Sequence, residues 1–321
     1  MKHILLAALA VVGLAAGLAS GSAASAYPDK PLRLVVPFPP GATTDTSGRL
    51  IAQYLERGLG QPVVVDNRSG AGGSVGVGDA LKSPADGYTL LVVTSGQPLL
   101  SFSYKLAFDP VKDMQALSMV LNSPLVLVVN PSVPARDVRE LISYAAANPG
   151  RLNFATTGTG EPLFIFEMLK NEGHVNMVHV PYKGGTEALN GVLRGDSQMQ
   201  FTNVFQARQF EHEGKLRIIG VSTRQHTRSM PEVPTLAESG FPNAIGNNYV
   251  GMGAPRGTPA EVVARLYREI AAMAKMPEFT AIAEKLGFDA VGSTPVEFRD
   301  LMEAQVNTWA PYARSLGIKP D

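Results

Sequence analysis

Cysteine is absent from the 321 residues. The fold therefore needs no disulfide, and thiolate nucleophiles and Cys-based metal sites are excluded. Charge is sparse and balanced, with 28 Lys and Arg against 28 Asp and Glu. No Lys/Arg cluster occurs, which argues against nucleic acid and anionic membrane as partners. After the first residues, no stretch approaches the roughly 18 uninterrupted apolar residues that a spanning helix requires. Gly-x-Ser-x-Gly and the Gly-Lys-Ser/Thr of a phosphate loop are both missing, so neither a hydrolase elbow nor a nucleotide cradle is visible. Gly70, Gly72 and Gly76 have the wrong spacing for a dinucleotide fingerprint. His174 and His179 are five apart, and His212-Glu213 lacks a second histidine at zincin spacing. These gaps predict a chain without metal or cofactor.

What is present begins with an export signal. Lys2 and His3 precede an apolar run from Ile4 to about Leu18, and Ala24-Ser25-Ala26 supplies a small-residue cleavage site before Tyr27. Removal of residues 1–26 leaves 295 residues, enough for two domains, with 27 basic and 28 acidic side chains. The expected compartment is the bacterial periplasm.

Short apolar runs then alternate with amphipathic ones. Strands are expected at Leu32–Val36, Val63–Val65, Tyr88–Val93, Leu125–Val129, Leu152–Ala155, Met177–Val180, Met199–Phe201 and Leu216–Val221. Helical stripes lie between them, such as Leu50, Ile51, Tyr54 and Leu55, or Val138, Leu141, Ile142 and Ala145. This alternation predicts α/β layers with a largely parallel sheet. Thr258-Pro259-Ala260-Glu261 and Thr294-Pro295-Val296-Glu297 read as capping boxes opening two C-terminal helices. Trp309 lies on the apolar stripe of the second, where core packing is expected. Asn122-Ser123-Pro124 separates two strand-like runs, and Tyr249–Gly253 is an extended return. Residues 27–124 plus 250–321 are therefore expected to form one lobe, and residues 125–249 the other.

Two turns carry the functional signal. Leu34, Val35 and Val36 stop at prolines, turn through Gly41 and enter a helix near Asp45; Leu152–Ala155 runs into Thr156-Thr157-Gly158-Thr159-Gly160 and a helix from Glu161. A strand that feeds a small-residue turn and then a helix aims unpaired N–H groups at one point, which suits an anion. One such turn in each lobe could grip the two sides of a small acid. Asp45 fits either a helix cap or a group facing ligand, and Arg49 a solvated helix face. His179 reads as a hydrogen-bonded structural residue.

The segments Val35–Asp45, Val65–Gly73, Ser83–Leu90, His179–Gly185, Pro231–Gly240 and Ala254–Pro259 together resemble, in order and across nearly the whole mature chain, the Bug-type solute receptors of tripartite tricarboxylate transporters. The resemblance implies a two-lobed α/β Venus-flytrap fold, a monomer that closes on a small carboxylate and delivers it to membrane permease subunits, with no catalysis, cofactor or metal. It implies a site at Phe38, Gly41, Ala42, Thr43, Thr44 and Asp45, with Thr156, Thr157, Gly158 and Thr159 opposite, and Ser95 and Asn203 at further cleft positions. An exported ligand sensor or an enzyme acting on small acids are the alternatives. Two departures bear on the ligand: no histidine follows the second loop, where Phe164 and Phe166 stand instead, and Tyr249 replaces a common Trp. The phenylalanines fit either an apolar cleft wall, suited to an aromatic or longer-chain acid, or the helix core.

Overall fold

The computed structural model describes residues 27–156, 161–182, 184–224, 226–227, 230–315 and 317. The proposed signal at residues 1–26 and Thr157, Gly158, Thr159 and Gly160 of the second loop lie outside the described residues. Strands are β1 (Leu32–Val36), β2 (Val63–Asn67), β3 (Thr89–Thr94), β4 (Met114–Val129), β5 (Asn153–Thr156), β6 (Val178–Pro181), β7 (Met199–Asn203), β8 (Arg217–Val221), β9 (Asn247–Pro255) and β10 (Asp289–Ala290). Helices are α1 (Thr43–Leu59), α2 (Ser74–Leu81), the single turn α3 (Leu100–Ser103), α4 (Val138–Ala147), α5 (Glu161–Gly173), α6 (Gly185–Arg194), α7 (Val204–His212), α8 (Ala260–Met273), α9 (Pro277–Lys285) and α10 (Pro295–Ser315).

The strands form two sections joined through β4. In the first the order is β2-β1-β3-β9-β4, with β10 on the far side of β4; in the second it is β6-β5-β7-β4, with β8 beyond. Both sections bury both faces. In the first, Leu34, Val36, Leu90 and Val92 pack against Ile51 and Leu55 of α1, Leu266 of α8 and Phe279 of α9. The alternate residues Val35, Leu91 and Val93 meet Val77 of α2 and Phe298 and Met302 of α10. Period-two alternation between two apolar layers is why these strands read as continuous hydrophobic runs. The second section repeats the scheme: Leu125, Leu127, Phe154 and Phe201 face α4 and α5, whereas Val126, Val128 and Ala155 face α6 and α7.

Two expectations need correcting. The sheet is mixed: β1 pairs in parallel with β2 and β3, and β5 with β6 and β7, but every pairing of β4 and β9 is antiparallel. Asn122-Ser123-Pro124 does not break the chain either, since β4 runs through it for 16 residues. Pro124 is the last residue paired with β9, opposite Asn247, and Leu125 is the first paired with β7, opposite Asn203. A residue with no N–H to donate sits where the strand exchanges partners, so little of the ladder is lost.

The capping boxes divide. Thr294 and Glu297 form theirs, with the Thr294 N–H donating to Glu297 Oε2 at 2.8 Å and the Glu297 N–H to Thr294 Oγ1 at 3.2 Å. Thr258 instead donates its hydroxyl to the Pro255 carbonyl at 2.7 Å, and α8 starts at Ala260 without a side-chain cap. The last helix spans both sections: Phe298 and Met302 lie in the first section's core, Trp309 and Ala313 in the second's.

Candidate functional site

The first loop is built around one carboxylate. Gly41 has φ +81°, the left-handed region that glycine enters without strain. This turns the chain so that Ala42 becomes the residue before α1, with Thr43, Thr44 and Asp45 as its first turn. Asp45, 3% exposed, reaches back: its Oδ2 accepts from the Gly41 N–H at 2.9 Å and from Arg49 Nε at 3.0 Å, and its Oδ1 from Asn67 Nδ2 at 2.9 Å. Asn67 also donates to the Phe38 carbonyl at 3.0 Å. Burial would raise the carboxyl's pKa, but the hydrogen bonds from Arg49, Gly41 and Asn67 outweigh it and hold the group below its ordinary value. Asp45 thus ties α1, the loop and the end of β2 together.

Around that brace the loop presents donors. The first-turn amides of Thr43 and Thr44 have no carbonyl one turn back to bond. Gly41 and Thr43 are exposed, and Phe38, Ala42 and Thr44 are half-buried. The Ala42 N–H is engaged by the Pro39 carbonyl at 3.3 Å. The helix dipole adds a partial positive charge at the same spot.

The other expected residues are placed less uniformly. Thr156, the last residue of β5, is buried with its hydroxyl 2.7 Å from His179 Nε2. His179 stacks on Phe154 with ring centres 5.2 Å apart, and burial holds its imidazole below the usual pKa. It is structural, as its sequence context indicated. Thr157, Gly158 and Thr159 lie outside the described residues. Ser95 is buried where the sections meet: its hydroxyl contacts Asn248 Oδ1 at 3.3 Å, and its carbonyl accepts from Gln305 Nε2 at 2.9 Å. Asn203 caps α7, accepting from the Gln206 N–H at 2.9 Å and donating Nδ2 to Gln206 Oε1 at 3.0 Å.

The phenylalanines are core. Phe166 stacks on Phe154 at 4.4 Å and tilts onto Phe201 at 4.6 Å; Phe164 lies 4.8 Å from the Trp309 ring and 6.4 Å from Phe102. Both are at most 1% exposed, so they supply no aromatic cleft wall. Tyr249 is equally buried, edge-on to Phe298, and its hydroxyl donates to Gln305 Oε1 at 3.0 Å.

Two residues were missed in the sequence. Asn67 ends a strand just before a glycine-rich turn, a position that marks a polar side chain aimed along the strand ends. Glu161 opens α5 beside the second loop, yet it is 7% exposed: its Oε1 accepts from the Asn247 N–H at 3.1 Å and from Gln305 Nε2 at 3.4 Å. Burial pushes its pKa up to about 8, against hydrogen bonds from the Asn247 N–H and the Ser95 hydroxyl. An acid between Gly160 and an apolar helix was the available signal.

Two α/β sections, linked by strands that pass between them and each ending its parallel strands in helix-opening loops, define a two-lobed solute-binding protein. Such sheets bind ligands beyond the carboxyl ends of their strands. The chain matches TctC, the tripartite tricarboxylate transporter family receptor, over residues 48–318, and it belongs to that family of periplasmic receptors. It is 34% identical over 320 residues to Protein BugT of Bordetella pertussis, covering 97% of this chain and 98% of that one. It superposes on R. palustris Rpa4515 with adipate at a TM-score of 0.77, with 32% identity over 92% of this chain and 100% of the other. MatC from Rhodopseudomonas palustris with bound malate gives a TM-score of 0.73, with 27% identity over 89% of this chain and 100% of the other.

Proposed function

We propose that this chain is an exported receptor that closes on a small aliphatic carboxylate and hands it, unconverted, to the permease subunits of a tripartite tricarboxylate transporter. The observation that carries the reading is the braced first loop, in which Asp45, Asn67 and Gly41 fix one another while the Thr43 and Thr44 amides and hydroxyls stay open to an anion. The opposing contacts come from Thr156, Thr157, Gly158 and Thr159, with Ser95 at the floor. Residues 27–124 plus 250–321 and residues 125–249 act as the two lobes, hinged where β4 and β9 pass between them, and ligand contacts on both sides favour the closed state. Adipate and malate on the two solved relatives, and the burial of Phe164 and Phe166, support an aliphatic acid over an aromatic one.

Thermal unfolding against aliphatic, hydroxylated, amino and aromatic acids tests the proposal. A ligand at about 100 times its dissociation constant adds roughly 2.7 kcal/mol, a shift of several degrees. No shift with any carboxylate overturns the reading. Recovery of the bound acid unchanged after long incubation tests the absence of turnover. N-terminal sequencing of the exported protein should begin at Tyr27.

A further inference from the structure

Where β9 leaves the second section, a cavity of about 180 Å³ lies between α10, the start of α5 and the chain entering β9. At about 30 Å³ per water it has room for roughly six waters, or for a ligand of comparable size. Its walls include Glu161, Arg224, Asn247, Gln305, Thr308 and Trp309. Glu161 Oε1 is engaged as described, but Oε2 is buried with no hydrogen-bond partner, and so is Asn247 Oδ1. Two buried oxygens left without a partner are costly, and they define what the cavity lacks. The exposed Arg224 borders the same space and makes no ion pair among the described residues.

An acid and an amide oxygen at the base, with a cation at the solvent side, match the charge layout of a zwitterion. We propose that this cavity is a subsite for a small α-amino acid, whose ammonium group donates to Glu161 and Asn247 while its carboxylate pairs with Arg224. The proposal rests on the receptor reading only in taking the cargo to be a small acid. In the empty cavity burial favours the neutral form of Glu161. An ammonium group at Oε2 supplies the missing counter-charge, so the Glu161 proton leaves to solvent as the amino acid enters. The other groups facing Glu161 are the Ser95 hydroxyl, the Gln305 amide, the Asn247 N–H and the Tyr249 hydroxyl, whose own pKa burial and Glu161 raise far above neutrality. Arg224 is therefore the one charged neighbour among the described residues lining the cavity.

Trp309 is the single tryptophan of the sequence and part of the cavity wall, so its fluorescence reports occupancy there. The mature protein would be titrated with L-alanine against propionate and L-aspartate against succinate, pairs that differ only by the ammonium group. The expected result is a change in Trp309 emission at concentrations at least tenfold lower for each amino acid than for its deaminated partner. Glu161→Gln should erase that preference while leaving any thermal shift given by succinate intact; Arg224→Ala, an exposed change that spares the core, should weaken both amino acids several-fold. Equal affinities within each pair, or a preference unchanged in both variants, overturn the proposal. That outcome differs from failure of the receptor reading, in which no acid of any kind shifts the unfolding temperature.

Discussion

Asp45 and Glu161 occupy comparable places, each an almost fully buried acid in the first turn of a helix that follows a loop expected to hold ligand. Their protonation is opposite. Asp45 meets two side-chain amide or guanidinium donors and a backbone N–H, and is held ionised below its ordinary pKa; Glu161 meets one backbone N–H, the Ser95 hydroxyl and a long contact from Gln305, none of them charged, and is pushed up to about 8. Both side chains are hidden from solvent, but Glu161 lies deep in the seam whereas Asp45 sits near the surface, so burial weighs far more on Glu161. The charged and more numerous donors around Asp45 widen the difference. The first section uses its acid as a fixed brace, whereas the second keeps a neutral acid at the seam, facing a cavity.

The contrast has graded consequences. The largest concerns pH. The neutral Glu161 contributes stability that is fully present below about 4.5, its ordinary pKa, and is lost as pH rises toward about 8. The whole swing is worth on the order of 5 kcal/mol at most. Glu161→Gln removes it, so urea unfolding of variant and wild type should diverge in the variant's favour between pH 5 and pH 8.5; parallel curves would end the contrast. Asp45 works in the other direction. Its stability is present above its unfolded pKa near 3.8 and is lost as pH falls through its lower folded value. Asp45→Ala should cost about 2–4 kcal/mol at pH 7, because the Gly41 N–H, Asn67 and Arg49 lose their acceptor, and less at pH 3. Thr43→Val should weaken the best carboxylate roughly five- to tenfold by calorimetry, with the ligand-free unfolding temperature little changed. The smallest effect belongs to Arg49→Ala: its guanidinium is half exposed, so the ion pair with Asp45 should be worth only about 0.5–1 kcal/mol in chemical denaturation. A larger loss would mean that the cation, rather than the amides, sets the state of Asp45.

Strands buried on both faces were legible, and Leu32–Val36 is found with the bounds its composition suggests. The continuity of β4 was not, because Asn122, Ser123 and Pro124 read as a break after a separate strand-like run and Pro124 mimics a terminus. Only its pairing with β9 makes those residues a strand. The Thr294–Glu297 box is local chemistry and formed as read, whereas Thr258 found a nearer acceptor in the Pro255 carbonyl. The first loop could be recognised from Gly41 and the helix that follows. The role of Asp45 could not, since its partner Asn67 is 22 residues away. Asn203 shows the same limit, a polar residue at a strand end whose side chain is taken by the next helix.

The sequence by itself determined the alternation of elements, the two helix-opening turns, the family and the absence of thiol chemistry, because these depend on composition and on spacings of a few residues. The tertiary structure decided that β4 passes unbroken through Pro124, that Phe164 and Phe166 are core, and that two similar acids take opposite charge states. Those outcomes depend on which groups distant segments bring within hydrogen-bonding distance, and no local pattern carries that information.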